Sequence, residues 1–87
     1  MLTGTTSTGF KYEIEDAQLD NMELLDALAE VDQGKILAMS RVCDLLLGKE
    51  QKQRLYDHCR TEKRNVPASA VQNEILEIIK GVPEGKN

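Results

Sequence analysis

The stretch that decides the fold is "LLLGKEQKQRLYDHCR", residues 45–60, in which a glycine separates two helical patterns. Apolar side chains recur at helical spacing on both sides of the glycine, which predicts helices at 35–47 and 49–61. Glycine adopts positive φ angles at low cost, so we expect Gly48 to end the first of these helices. The sequence therefore predicts a helical corner at this position.

Two further helices are predicted, one on each side of this corner. A capping pattern from Asp20 to Glu23 precedes a helix at 21–32. Pro67 suits the first turn of a helix at 67–80. The sequence thus predicts an all-α fold, a compact bundle of about four helices. The apolar face of the helix at 21–32 is expected to comprise Leu24, Leu25, Leu28 and Val31.

Both ends of the chain are polar and are expected to be flexible tails. Residues 1–9 and residues 82–87 offer little apolar surface to bury. Between them, residues 10–81 are expected to form a single helical domain. The alternation in "FKYEI", residues 10–14, indicates a short extended segment. Because no second strand is evident, we expect this segment to lie across the helices and not to form a sheet.

The charged residues divide the chain into an acidic part and a basic part. The net charge is −4, and residues 12–32 carry eight acids and no base. Residues 49–64 carry six bases against three acids. Non-specific nucleic-acid binding depends on neutralising phosphates, so the negative total argues against it. The two parts could pair within one molecule or between copies of it.

Neither a membrane segment nor a secretory signal is evident. No run approaches the ~18 apolar residues that span a bilayer. The first ten residues have neither the basic stretch nor the apolar core of a signal peptide. Cys43 and Cys59 are therefore expected to be reduced thiols in the cytoplasm, each on an apolar helix face.

The residues that could carry chemistry form no catalytic or metal-binding pattern. His58 and Cys59 are adjacent, so on a helix they point about a quarter-turn apart. That geometry keeps the imidazole from activating the thiol, and no ligand spacing typical of zinc occurs. Glu23, Asp26 and Glu30 form an acidic stripe that is expected to face solvent. We expect no enzyme activity, no metal site and no cofactor.

A helix-turn-helix that binds DNA is the main alternative interpretation of residues 45–60. The helix after Gly48 carries Lys52 and Arg54, which could contact phosphates. However, Glu50 stands where a recognition helix normally offers polar side chains to the bases. Nucleic acid is therefore not an expected partner, and a small helical DNA-associated regulator from a phage or mobile element stays the alternative function.

The order of the segments resembles that of small tail assembly chaperones of long-tailed, non-contractile bacteriophages and prophages. Residues 19–30, "LDNMELLDALAE", match the L-x-x-W/M-E-L-L-x-x-L-A-E segment of that family, with Met22 where Trp is frequent. Residues 46–55, "LLGKEQKQRL", match its L-L-G-x-E-Q-x-x-x-L segment. The resemblance covers residues 10–80.

This resemblance implies a function in assembly without catalysis. Such chaperones coat the long, largely helical tape-measure protein before the tail tube forms, and they keep it soluble. They also help to recruit the major tail protein. The resemblance therefore implies these two proteins as partners, with self-association along the coat, in the cytoplasm of the bacterial host.

The side chains expected to contact a partner are those that a four-helix core does not need. Met22 and Ala29 widen the apolar face of the first long helix, and Leu37 falls among polar residues of the next. Lys52 and Arg54 give the following helix a basic face. A generic adaptor that binds some other partner is a third interpretation.

Overall fold

The computed structural model describes residues 1–82, which form a two-stranded antiparallel sheet and four α-helices. None of these helices has the length and apolar character that crossing a bilayer requires. Apart from Val82, the expected flexible tail at 82–87 lies outside the described residues. The elements are β1 (Leu2–Thr5), β2 (Lys11–Ile14), α1 (Asp16–Leu19), α2 (Met22–Asp32), a 3₁₀ turn (Ile36–Ala38), α3 (Met39–Cys59) and α4 (Ala68–Lys80).

The prediction of an all-α fold is wrong, because the N-terminal segment forms a β-hairpin. β1 pairs with β2 in antiparallel register, with Leu2 opposite Ile14 and Gly4 opposite Tyr12. Most of the expected flexible tail at 1–9 is therefore a strand and a tight turn. A Cβ atom on Gly4 would lie 2.7 Å from Cζ of Tyr12, so the strand needs a glycine there. Consequently β1 lacks the apolar alternation that identifies a strand in a sequence.

The hairpin contributes one side of the hydrophobic core. Phe10, Tyr12 and Ile14 are all buried, in keeping with the alternation seen in the sequence. These side chains belong to one hydrophobic cluster with apolar residues from three helices, and a core of helices alone would lack them. The buried helical members are Leu24, Ala27, Met39, Val42, Cys43, Leu46, Leu47, Leu55, Val71, Ile75 and Ile78.

A sharp bend divides α3 at Gly48. Its backbone angles are φ 78° and ψ 168°, a combination that is essentially restricted to glycine. The predicted interruption at this residue is confirmed. The helices expected at 35–47 and 49–61 correspond to the two arms of α3 on either side of Gly48, and the first arm is preceded by the 3₁₀ turn. The bend allows Leu46 on one arm and Leu55 on the other to be buried in the same core.

Local caps define the starts of the first two helices. The side chain of Asn21, and not that of Asp20, accepts a hydrogen bond at 3.0 Å from the backbone N–H of Glu23 at the start of α2. The short helix α1 was not predicted, since four residues are too few to show a helical period. It begins with a reciprocal capping box, in which Gln18 Oε1 accepts from the backbone N–H of Glu15 at 2.8 Å. α4 begins one residue later than expected.

Candidate protein-binding surfaces

The outer face of α2 carries a row of exposed apolar side chains. Met22 is 66% exposed, Leu25 is 51% exposed, and Ala29 is also exposed. Residues spaced by three and four lie on one side of a helix, so the three form a continuous row, which we call the α2 stripe. Leu25 was predicted to share the apolar face of this helix with Leu24, but in the structure it points outward. The other members of its predicted face, such as Leu24, do point inward.

Acidic side chains accompany the α2 stripe along its length. Glu23, Asp26 and Glu30 each follow one residue of the stripe and repeat the same spacing. None of the three forms an ion pair within residues 1–82. The α2 stripe is therefore an apolar row beside an acidic row that forms no ion pair within residues 1–82.

A second apolar surface surrounds Leu37, which is 92% exposed. This side chain stands at the edge of a groove of about 260 Å³ between the start of α3 and the start of α4. Ile36 beside it is also exposed. We call this surface the Leu37 groove. It is lined by Ile36, Leu37, Met39, Ser40, Tyr56, Val66, Ala68 and Val71.

Charges of both signs lie on the other side of Leu37. Glu30, Lys35 and Arg41 line a shallow recess there, together with the backbone that joins α2 to α3. The surroundings of Leu37 are therefore electrostatically mixed, whereas the charges beside the α2 stripe are acidic. A partner of the α2 stripe would therefore need positive charge, whereas the surroundings of Leu37 favour neither sign.

Lys52 contacts its own chain. Its Nζ lies 3.2 Å from Oδ2 of Asp44 and donates a hydrogen bond to Oγ of Ser40 at 3.0 Å. The ammonium group also lies 5.6 Å from the ring centroid of Tyr56. These contacts connect the two arms of α3 across the bend at Gly48. The structure thus gives Lys52, which the sequence placed on a partner-binding basic face, a role within the fold.

Arg54 also contacts its own chain. Its guanidinium carbon lies 5.4 Å from the ring centroid of Phe10, and Nη1 donates to the carbonyl oxygen of Lys11 at 3.3 Å. Arg60 pairs with Asp57 at 3.0 Å. Lys52, Arg54 and Arg60 are the cations that this helix would direct at phosphates if it bound DNA. Each of them contacts another group of its own chain, which argues against the helix-turn-helix interpretation.

A polar cluster whose centre, Glu74 and Thr6, is buried joins the hairpin turn to the helices. The carboxylate of Glu74 is 5% exposed and accepts hydrogen bonds from the hydroxyls of Thr6 and Thr8, both at 2.8 Å. The hydroxyl of Thr8 also lies 2.9 Å from Nε2 of His58. This cluster was not predicted from the sequence. A signal was present, because Glu74 lies three residues after Val71 on the apolar face of α4.

The arrangement of this cluster is structural. In a catalytic triad the imidazole lies between the hydroxyl and the carboxylate. Here the hydroxyl of Thr8 lies between Glu74 and His58, so no base is positioned by an acid. One turn further along α4, Glu77 accepts a hydrogen bond from the hydroxyl of Ser7 at 2.9 Å. The turn is thus attached to α4 by two carboxylates, those of Glu74 and Glu77, which lie one helical turn apart.

The cysteines lie in surroundings that suppress thiol reactivity. Cys43 is fully buried, and burial raises the pKa of its thiol to about 11. Burial also raises the pKa of the half-buried Cys59 thiol. A protonated thiol is a poor nucleophile and a poor metal ligand at neutral pH. Residues 1–82 contain no group of three or more His, Cys, Asp or Glu side chains arranged to hold a metal ion.

Comparisons of the chain with protein-family models, with curated proteins and with solved structures find no match. A functional proposal therefore rests on the order of the sequence segments and on the two exposed apolar surfaces. Of the five residues expected to contact a partner, Met22, Ala29 and Leu37 lie on these surfaces, whereas Lys52 and Arg54 contact their own chain.

Proposed function

We propose that this protein is a non-catalytic assembly factor, similar to a phage tail assembly chaperone, that binds helical segments of a tape-measure protein. The observation that supports this most is the Leu37 side chain, 92% exposed at the edge of an apolar groove. Exposed apolar surface of this kind marks an interaction site. The order of the segments at 19–30 and 46–55 supports the same assignment.

The Leu37 groove suits one face of an amphipathic helix. In helix-in-groove recognition, apolar anchors at i, i+3, i+4 and i+7 enter a hydrophobic depression. One anchor would occupy the groove beside Tyr56 and Val71, while the neighbouring turn of the partner would cover Leu37. Covering such surfaces on a long helical protein keeps that protein soluble until the tail tube forms. This activity belongs to the cytoplasm of the bacterial host and includes recruitment of the major tail protein.

The proposal predicts that a gene for a tape-measure protein lies near this one, and co-expression with that tape-measure protein tests the proposal. The wild-type protein should keep the tape-measure protein soluble and should co-purify with it. Leu37→Asp places a charge in the contact and should reduce the recovered complex about tenfold. Leu76→Asp is the matched control, because Leu76 is 42% exposed on α4 and does not line the groove.

Two results would contradict the proposal in different ways. If the wild-type protein neither binds nor solubilises the tape-measure protein, the chaperone function is wrong. If both substitutions leave the recovered complex unchanged, the Leu37 groove is not the binding surface. For the second result, circular dichroism of both variants must match that of the wild type.

A further inference from the structure

We propose that the α2 stripe binds a basic amphipathic helix of a partner protein, with the apolar face of that helix against Leu25 and its Lys or Arg side chains against the neighbouring acids. This inference rests on the proposed function and specifies which face is used and which charge the bound segment carries. The Leu37 groove and the α2 stripe then serve two different contacts.

The apolar part of the site has the dimensions of a helix-to-helix contact. Met22 and Ala29 are seven residues apart, which is two turns of α2 and about 10 Å along its axis. Leu25 lies between them on the same side and is 51% exposed. A partner helix needs apolar residues at matching spacing over about two turns to cover this row.

The charges beside the row determine the kind of partner. Glu23, Asp26 and Glu30 run parallel to the row, and no ion pair within residues 1–82 neutralises them. Residues 12–34 contain no Lys or Arg at all. Complementary potentials favour association and like charges oppose it. Anionic partners such as nucleic acid or an acidic membrane surface are therefore repelled, and a helix flanked by cations is attracted.

A second copy of this chain fits the α2 stripe poorly. A two-fold contact of α2 with α2 would place the same carboxylates against each other. The basic part of another copy is also partly occupied, since Lys52 contacts Asp44, and Arg54 packs on Phe10. The partner is therefore a different protein.

Synthetic helical peptides test this inference with the entire 87-residue chain. The probe is a labelled peptide of about 18 residues, or about five helical turns, with leucines on one face and lysines beside them. Its counterpart carries glutamate in place of every lysine. Fluorescence anisotropy should detect binding of the lysine peptide that weakens as salt increases. The glutamate peptide should not bind.

Matched variants locate the peptide on the protein. Leu25→Gln should weaken binding of the lysine peptide about tenfold, because it removes the central apolar contact. Leu76→Gln alters a leucine on α4 that is 42% exposed and should leave binding unchanged. The double variant Glu23→Gln, Asp26→Gln should weaken binding and flatten its salt dependence. The control Glu50→Gln, Glu62→Gln changes the net charge equally and should have little effect.

Several results would overturn the inference. These are no binding of the lysine peptide, equal binding of the glutamate peptide, or equal effects of the Leu25 and Leu76 substitutions. Concentration-dependent dimers that Leu25→Gln abolishes would also overturn it, because a second copy would then cover the stripe. Site-specific peptide binding without any solubilisation of the tape-measure protein would preserve this inference and contradict the proposed function instead.

Discussion

The carboxylate of Glu74 on α4 accepts a hydrogen bond at 2.8 Å from the hydroxyl of Thr6, the residue that directly follows the first strand of the hairpin. Both residues are buried. The same hydroxyl oxygen accepts from the backbone N–H of Phe10 at 3.1 Å, so it connects the two sides of the turn as well. One threonine therefore joins the sheet to the helices, and the sheet supplies part of the core.

Thr6→Val should destabilise the protein by about 1–3 kcal/mol, because Phe10 loses an acceptor and Glu74 loses a donor in a buried site. The measurement is urea unfolding at neutral pH. Thr3→Val makes the same replacement on the exposed side of β1 and should change the unfolding free energy by less than about 0.5 kcal/mol. Equal effects at the two positions would show that the buried cluster does not stabilise the hairpin.

Gly48→Ala should destabilise the protein by about 1–3 kcal/mol, because no other residue adopts its backbone angles without strain. Space is not the limitation, since the nearest neighbour of an added Cβ is Gln18 Nε2 at 3.8 Å. Thermal unfolding of the variant measures the loss. Lys49→Ala, at the next and exposed position, serves as the control and should be nearly neutral. If Gly48→Ala were as stable as the wild type, the backbone angles at Gly48 would not be required for the stability of the fold.

Met22→Asp and Leu37→Asp should leave the free energy of unfolding within about 0.5 kcal/mol of the wild type, because both side chains are mostly exposed. Leu46→Asp, at a fully buried position of α3, should prevent folding. Denaturant unfolding followed by circular dichroism distinguishes these results. A large loss of stability at Met22 or Leu37 would make that residue part of the core and would remove it from the proposed binding surfaces.

Stability should decrease between about pH 9 and about pH 11 as a consequence of the Cys43 thiol. Burial raises the pKa of this thiol to about 11 in the folded protein. In that interval the unfolded chain loses the proton while the folded protein keeps it, so stability present below about pH 9 is lost as the pH rises. The full effect is about 2–3 kcal/mol, which corresponds to the size of the pKa difference.

Urea unfolding at several pH values measures this decrease in stability. Two variants show which cysteine thiol causes it. Cys43→Ala should be less stable than the wild type at neutral pH and should show a flatter decrease above about pH 9. Cys59→Ala should keep most of the wild-type decrease, because Cys59 is only half-buried. If the unfolding free energy of Cys43→Ala fell with pH as steeply as that of the wild type, groups other than this thiol would cause the pH dependence.

The helical part of this protein could be predicted from the sequence because its signals are local. The spacing of apolar residues indicates α2 and α4 to within about one or two residues. The glycine at 48 marks the bend, since glycine is the residue that tolerates its backbone angles. Leu37 could be assigned to the surface because it falls among polar residues, and Met22 because it widens its helix's apolar face beyond what the core needs.

The sheet and the contacts of the polar side chains are decided only by the tertiary structure, because they depend on residues far apart in the chain. β1 is a strand because Gly4 leaves room for Tyr12 opposite, and neither residue reveals this alone. Glu74 is buried because a threonine 68 positions away donates to it. A local pattern shows which side chains are apolar or charged, but only the folded chain determines which of them find a partner.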